Sequence, residues 1–160
     1  MHTPLHFFKK LIKSIICNPN AYENDLFISQ NKRIIKIAVS LLMELKPLKN
    51  EKVFRGVLLE KSEKVITLKP QKSRQYNSFS TCKKVAFNFA DPNDPLSIPL
   101  VLMGKRYGYI LEDELFNFDL IFHHSWGDFL GIYKGIMKDF KYQKEVILFQ
   151  NDKSLIYKRA

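Results

Sequence analysis

Cysteine is scarce in this chain, and what little there is excludes two classes of protein. Cys17 and Cys82 stand far apart with no metal-ligand spacing between them, so neither a disulfide framework nor a zinc site is indicated, and a reducing, cytoplasmic setting is the expectation. Long apolar runs are missing as well: no stretch approaches the roughly 20 residues that a membrane span requires. The N-terminal segment Phe7-Phe8-Lys9-Lys10-Leu11-Ile12-Lys13-Ser14-Ile15-Ile16 has lysines between its apolar pairs. It therefore lacks the uninterrupted apolar stretch and small-residue cleavage site of a secretory signal. Those pairs fall at helical spacing, which suits packing on the domain better than attachment to a membrane surface. There is no internal repeat and no low-complexity linker, and 160 residues suit one domain.

Negative charge is in deficit. Lys and Arg number 26 against 16 Asp and Glu, a formal charge of +10 spread along the chain. Such a field serves nucleic acid, an acidic protein face or an anionic cofactor, and it speeds encounter with any of them without specifying a fold. On composition alone a solvated lysine surface is the better account.

Helical periodicity comes first, over Leu5 to Cys17 and Leu26 to Leu45. In the second helix Ile34, Ile35, Ala38, Leu41, Leu42 and Leu45 make one apolar face, with Asn24 or Asp25 as cap and Pro47 near the end. Short apolar runs rich in β-branched and aromatic residues then predict strands over Lys52 to Leu59, Val65 to Leu68, Ile98 to Met103, Tyr107 to Leu111, Leu120 to His123, Glu145 to Phe149 and Leu155 to Lys158. Between them, Ser80 to Ala90 fits a capped helix with Val85, Ala86, Phe89 and Ala90 along one face. Asp91-Pro92-Asn93-Asp94-Pro95 breaks the chain, and Gly131 to Lys141 is a mobile-loop candidate. Helices first and strands after make an α+β protein.

Three segments carry chemistry in a fixed order. Phe54-Arg55-Gly56 lies in the first strand, and Tyr76-Asn77-Ser78-Phe79-Ser80 leads into Val85-Ala86-Phe87-Asn88-Phe89-Ala90. Tyr142-Gln143-Lys144-Glu145-Val146 opens a later strand. Each is weak alone. An arginine in a strand usually snorkels, a serine before a helix usually caps it, and a glutamate at a strand start usually faces water.

Together, over roughly residues 26 to 150, they resemble the R-S-E class of mono-ADP-ribosyltransferases, the small phage-encoded and bacterial-toxin or effector members above all. The resemblance implies a single ADP-ribosyltransferase-like domain over 1–160. A helical lobe over 1–50 would pack on a mostly antiparallel, two-sheet, NAD-binding core over 51–160. It further implies a monomer that takes NAD as donor substrate, uses no metal, and works in the cytoplasm, that of a host cell after delivery included. Glu145 would hold the nicotinamide ribose and stabilise oxocarbenium character as the N-glycosidic bond breaks, and Ser78 would hold Glu145. Arg55 would meet the phosphate and ribose side of NAD with charge and fork geometry. Gly56 would admit the backbone close to the carboxamide, Ser80 completes the Ser-x-Ser element, and Phe89 would face the nicotinamide ring. For Phe87 helix core is the better reading.

Two departures steer the choice of acceptor. Phe79 replaces the small hydroxyl residue usual inside Ser-x-Ser. Gln143 stands where arginine-modifying members carry Glu; an amide can recognise an amide or a base edge but cannot act as a general base. The resemblance is thus to transferases acting on asparagine or guanine, with Phe140 and Tyr142 placed to contact the acceptor, a host protein or a nucleic acid. An NAD glycohydrolase and a non-enzymatic, basic nucleic-acid-binding module are the competing functions. His123-His124-Ser125-Trp126 carries no metal or nucleophile reading: adjacent histidines on a strand point to opposite faces, and no Cys or carboxylate completes a ligand set.

Overall fold

The computed structural model describes residues 4–18 and 20–160, with the side chains of Ile136 and Met137 outside the description. It combines helices with seven strands that hydrogen-bond in the order β2-β7-β4-β1-β3-β6-β5. In sequence the elements are α1 (Pro4–Cys17), α2 (Ala21–Gln30), α3 (Lys32–Leu45), β1 (Lys52–Leu59), β2 (Val65–Leu68), β3 (Tyr76–Ser80), α4 (Lys83–Phe89), α5 (Ile98–Leu102), β4 (Tyr107–Glu114), β5 (Leu120–His123), α6 (Ser125–Leu130), β6 (Glu145–Phe149) and β7 (Leu155–Arg159). Short 3-10 turns occupy Pro95–Ser97, Leu115–Asn117 and Gly135–Gln143. The α+β expectation holds, and the strands form one sheet where two were expected. Antiparallel pairing joins β1 to β3 and β4, β7 to β2 and β4, and β5 to β6.

The chain divides into two compact units. The first takes Met1–Lys49, Gln71–Ser78 and Phe118–Gln150; the second takes Asn50–Pro70, Phe79–Asn117 and Asn151–Ala160.

In the first unit, Phe8, Leu11, Ile12 and Ile15 of α1 are buried with Ile35, Ala38 and Leu42 of α3, Ile121, Phe122, Trp126 and Ile147. The lysine-bearing N-terminal segment is thus a packed core helix, as its spacing predicts. The long second helix is interrupted: Asn31 ends α2, its amide Nδ2 donating to the Phe27 carbonyl at 2.7 Å, and α3 starts after it. Neither Asn24 nor Asp25 is the cap. Asn20 caps α2 by accepting from Glu23 N, which frees both residues for the interior. Asn24 Nδ2 reaches the Tyr76 hydroxyl at 3.2 Å, and the Asp25 carboxylate takes the Gln75 N–H at 2.8 Å. Two polar side chains of α2 thereby fix where β3 begins. On α3, Ile34, Leu41 and Leu45 remain exposed, so the buried stripe is narrower than the apolar one.

In the second unit β1 and β4 pair along their whole lengths, from Lys52 opposite Glu114 to Leu59 opposite Tyr107. Glycine at two positions decides what lies on them. The Cβ positions of Gly56 and Gly108 fall 1.8 Å from the carbonyl oxygens of Ala86 and Ala90 respectively. With no side chain on either strand residue, the backbone of α4 comes down onto β1 and β4, and Ala86 and Ala90 fill the gap with Phe54 and Ile110. Phe87 and Phe89 are displaced outward: both are exposed. That corrects the core reading of Phe87, whose ring lies beneath the Lys83 ammonium at 5.9 Å.

Ile98 to Met103 is helical, not a strand. Asp94 accepts the Leu96 N–H at 2.9 Å, Pro95 and Pro99 sit at first-turn positions, and the apolar run continues as α5. Proline supplies a helix-compatible φ exactly where its missing N–H is harmless, and a short apolar run does not by itself distinguish strand from helix.

Candidate functional site

Glu145 opens β6 in the first unit, where burial of the following Val146, Ile147, Leu148 and Phe149 pins the strand and with it the carboxylate. Ser78, on the β3 neighbour, donates its hydroxyl to Glu145 Oε1 at 2.9 Å. Half-burial pushes the Glu145 carboxyl above its usual range; the Ser78 hydrogen bond works against that shift by favouring the ionised form. The serine and the glutamate of the ordered motif therefore meet, 67 residues apart in sequence.

Gln143 behaves differently. It is exposed and ends the 3-10 turn over Gly135–Gln143, while Lys144 adopts the left-handed conformation at φ 50°, ψ 45°. The motif is thus two residues on two elements with a sharp reversal between them, not the start of one strand. Phe140 is half-buried against the core of this unit, whereas Tyr142 is 78 % exposed. Lys141 pairs with Asp128 of α6 at 2.8 Å, which ties the turn to the helix before it. The segment read as a mobile loop is mostly 3-10 helical.

Sequence reasoning did not single out Tyr133. Its ring stands edge-on to Phe122 and lies where a side chain on Gly127 would be. The hydroxyl is buried with no hydrogen-bond partner. Burial raises its pKa, and the negative charges of Glu145 and then Asp128 raise it further, which keeps the phenol neutral beside the carboxylate. No motif signals such a residue; only the fold brings it to Glu145.

His123 and His124 also depart from expectation. The strand ends at His123, and His124 turns into α6 as its cap, so the two rings stack at 4.3 Å between centroids instead of facing opposite sides. His123 is buried, and its Nδ1 lies 2.8 Å from the Ser125 hydroxyl. His124 has its pKa lowered to about 4, first by burial, then by His123 and Lys144. Among the described residues no group of three His, Cys, Asp or Glu is placed to hold a metal ion.

Arg55 lies in the second unit, half-buried on β1, and donates to the buried Tyr157 hydroxyl on β7. Burial raises the Tyr157 pKa, while the Arg55 charge and hydrogen bond oppose it. A strand arginine held by a tyrosine is fixed in direction, unlike one that snorkels freely. Ser80 is buried and accepts the Cys82 N–H at 3.0 Å, shaping the turn into α4 rather than offering its hydroxyl outward. Phe89 presents a half-exposed ring from α4. Gly56 has α4 against its Cβ position, so the missing side chain is already used by packing.

Comparison of the chain with known protein families, curated proteins and solved structures finds no match.

Proposed function

We propose that this chain is a mono-ADP-ribosyltransferase that cleaves NAD and passes ADP-ribose to a macromolecular acceptor. The observation that carries the reading is the Ser78–Glu145 hydrogen bond. It joins the two residues that the motif order assigns to the same task, and it does so on a carboxylate that burial would otherwise drive toward neutrality. Ionised Glu145 is the form the chemistry needs. As the bond from ribose C1′ to the nicotinamide nitrogen breaks, its electron pair leaves with nicotinamide and positive charge develops on the ribose. A fixed carboxylate stabilises that charge and orients the ribose hydroxyl. The acceptor's lone pair then forms the new bond to C1′, and the acceptor's proton passes to water or a base.

In this reading Arg55, held by Tyr157, meets the NAD phosphates, and the Phe89 ring packs on the nicotinamide. The order in which Arg55, Ser78 and Glu145 follow one another in the sequence, each with its flanking motif, supports assigning all three to one reaction. Gln143, exposed beside Tyr142, recognises the acceptor through its amide and cannot deprotonate it. That argues against arginine as acceptor.

Incubation with NAD labelled in its adenylate half, with cell lysate, tests the proposal. Label should pass to macromolecules, nicotinamide should be released, and Glu145→Ala should lower both at least about a hundredfold. Separate nuclease and protease treatment identifies the acceptor class. Nicotinamide release without any labelling makes the protein a glycohydrolase. Well-folded wild type that does neither sinks the proposal.

A further inference from the structure

One face of the sheet in the second unit carries two arginines that are held in place before anything binds them. Opposite residues of paired strands share a face, and so do residues two apart on one strand. Arg55 lies opposite Leu111, and Arg159 lies opposite Tyr109. Both arginines therefore stand on one face with Tyr107, Tyr109, Leu111 and Tyr157, while α4 packs on the other over Gly56 and Gly108. Strand β4 runs between β1 and β7, which sets the two arginine Cα atoms roughly 12 Å apart, and both side chains lean over it. Arg55 crosses β4 to reach the Tyr157 hydroxyl on β7. Arg159 leans back from β7, its guanidinium 4.9 Å from the Tyr107 ring centroid and 5.4 Å from that of Tyr109. Its strand is pinned on both sides: the Arg159 N–H donates to the Lys64 carbonyl and the Ala160 N–H to the Gly108 carbonyl, each at 3.0 Å. The Tyr109 ring is fixed too, since it is buried and its hydroxyl donates to the Lys61 carbonyl and accepts the Glu63 N–H.

Ring contacts engage the face of a guanidinium and leave its in-plane N–H donors unused. Arg159 is exposed, and among the described residues no carboxylate or carbonyl accepts from its guanidinium. The nearby carboxylates are engaged elsewhere. Asp113, on the same face, accepts the Glu114 N–H and the Asn117 amide, and Glu60 and Glu63 line a pocket of about 430 Å³ with Lys61 and Lys105, to which neither arginine contributes. A guanidinium that is already ordered loses little entropy on binding and takes an oxyanion through two parallel hydrogen bonds. One phosphate satisfies one such fork. Two forks leaning in over the same strand close around a single ligand with two oxyanion groups, which is what a diphosphate offers. A nucleic acid strand would also want ring faces for its bases, and here both tyrosine rings lie under Arg159. We infer that Arg55 and Arg159 form a two-armed site for the diphosphate group of a nucleotide. That the nucleotide is NAD rests on the proposed reading; diphosphate binding itself does not.

Calorimetric titration of the full chain with ADP, AMP and inorganic pyrophosphate tests the site. ADP should bind at least about tenfold more tightly than AMP, because the second phosphate adds a charge-assisted contact, and pyrophosphate should compete with ADP. Arg159→Gln should lower ADP affinity at least about tenfold, to the level of AMP. Arg159→Lys keeps the charge without the fork and should restore only part of it. Tyr107→Leu removes one of the rings that hold Arg159 and should weaken ADP less than Arg159→Gln does. Thermal melting shows whether each variant is folded. The inference is overturned if wild type binds ADP no better than AMP, if pyrophosphate does not compete, or if Arg159→Gln binds ADP as wild type does. In the last case a lowered melting temperature would make Arg159 a clamp on β7 and nothing more. A single-stranded oligonucleotide that binds more tightly than ADP and loses its affinity in Arg159→Gln also overturns it, by assigning the face to nucleic acid. Arg159-dependent ADP binding without transfer from NAD keeps the site and removes the transferase. Transfer whose KM for NAD is unmoved by Arg159→Gln keeps the transferase and removes the site.

Discussion

The carbonyl oxygen of Ala86 stands 1.8 Å from where a Cβ of Gly56 would lie. Contacts of that length do not occur, so any side chain at 56 must push α4 off the sheet. Gly56→Ala is expected to cost about 3 kcal/mol in stability, measured by urea denaturation, with Gly108→Ala similar because it faces Ala90 in the same way. Adding Ala86→Gly should not rescue Gly56→Ala, since the clash is with backbone. Rescue would show that the helix methyl, and not its carbonyl, sets the spacing.

Ser78→Ala removes the hydroxyl that, among the described residues, donates to Glu145 Oε1 and favours its ionised form. A hydrogen bond to a charged group contributes about 1.5–3 kcal/mol. If the protein turns over NAD as proposed, the expected outcome is a fall in that turnover of roughly ten- to a hundredfold, with a shift of the acid limb of the pH–rate profile to higher pH. Loss of turnover with an unmoved profile would instead mean that Ser78 acts on substrate.

Two neighbouring groups pull acid stability in opposite directions. The Glu145 carboxyl is raised on folding, so its stabilising contribution is present at low pH and is lost as pH rises through the raised value. His124 is lowered from 6.5 to about 4, with His123 and Lys144 as its charged neighbours; its contribution is present above 6.5 and is lost as pH falls toward about 4. Glu145→Gln should therefore melt higher than wild type at neutral pH, with the gap closing in acid. His124→Asn should flatten the loss of stability between pH 6.5 and about 4. Thermal melts over a pH series check both, and a gap for Glu145→Gln that widens in acid would contradict the first.

The Tyr133 hydroxyl is buried without a partner, and such a group opposes folding. Tyr133→Phe should leave stability unchanged or raise it by up to about 1 kcal/mol. If NAD turnover falls in the same variant while stability holds, the hydroxyl acts on Glu145 or on substrate during the reaction.

Much of the fold was legible because its strands are short apolar runs bounded by polar or glycine-bearing turns. The bounds of β1, β2, β5 and β6 come out as read, Lys52–Leu59, Val65–Leu68, Leu120–His123 and Glu145–Phe149. The failures have specific causes, some local and some long-range. Ile98 to Met103 carries the same apolar composition as a strand, and Asp94 with two prolines decides it for helix. The break at Asn31 rests on its own amide bond to the Phe27 carbonyl, whereas the burial of Asn24 and Asp25 depends on Tyr76 and Gln75, about fifty residues away and beyond any local window. Of the candidate site, the meeting of Ser78 with Glu145 was legible through motif order. Tyr133 and Tyr157 were not, since each matters only through a contact that chain folding makes.

Lys144 sets Gln143 and Glu145 on separate elements, one ending a 3-10 turn and the other starting a strand held by four buried residues. The left-handed residue between them reverses the chain, so the carboxylate is placed by β6 while the turn is placed by Phe140 on the core and by Lys141 on Asp128. On the proposed reading, substitutions at Phe140, Tyr142 and Gln143 would change the acceptor and leave the Ser78–Glu145 pair in place, because β3 and β6 hold that pair.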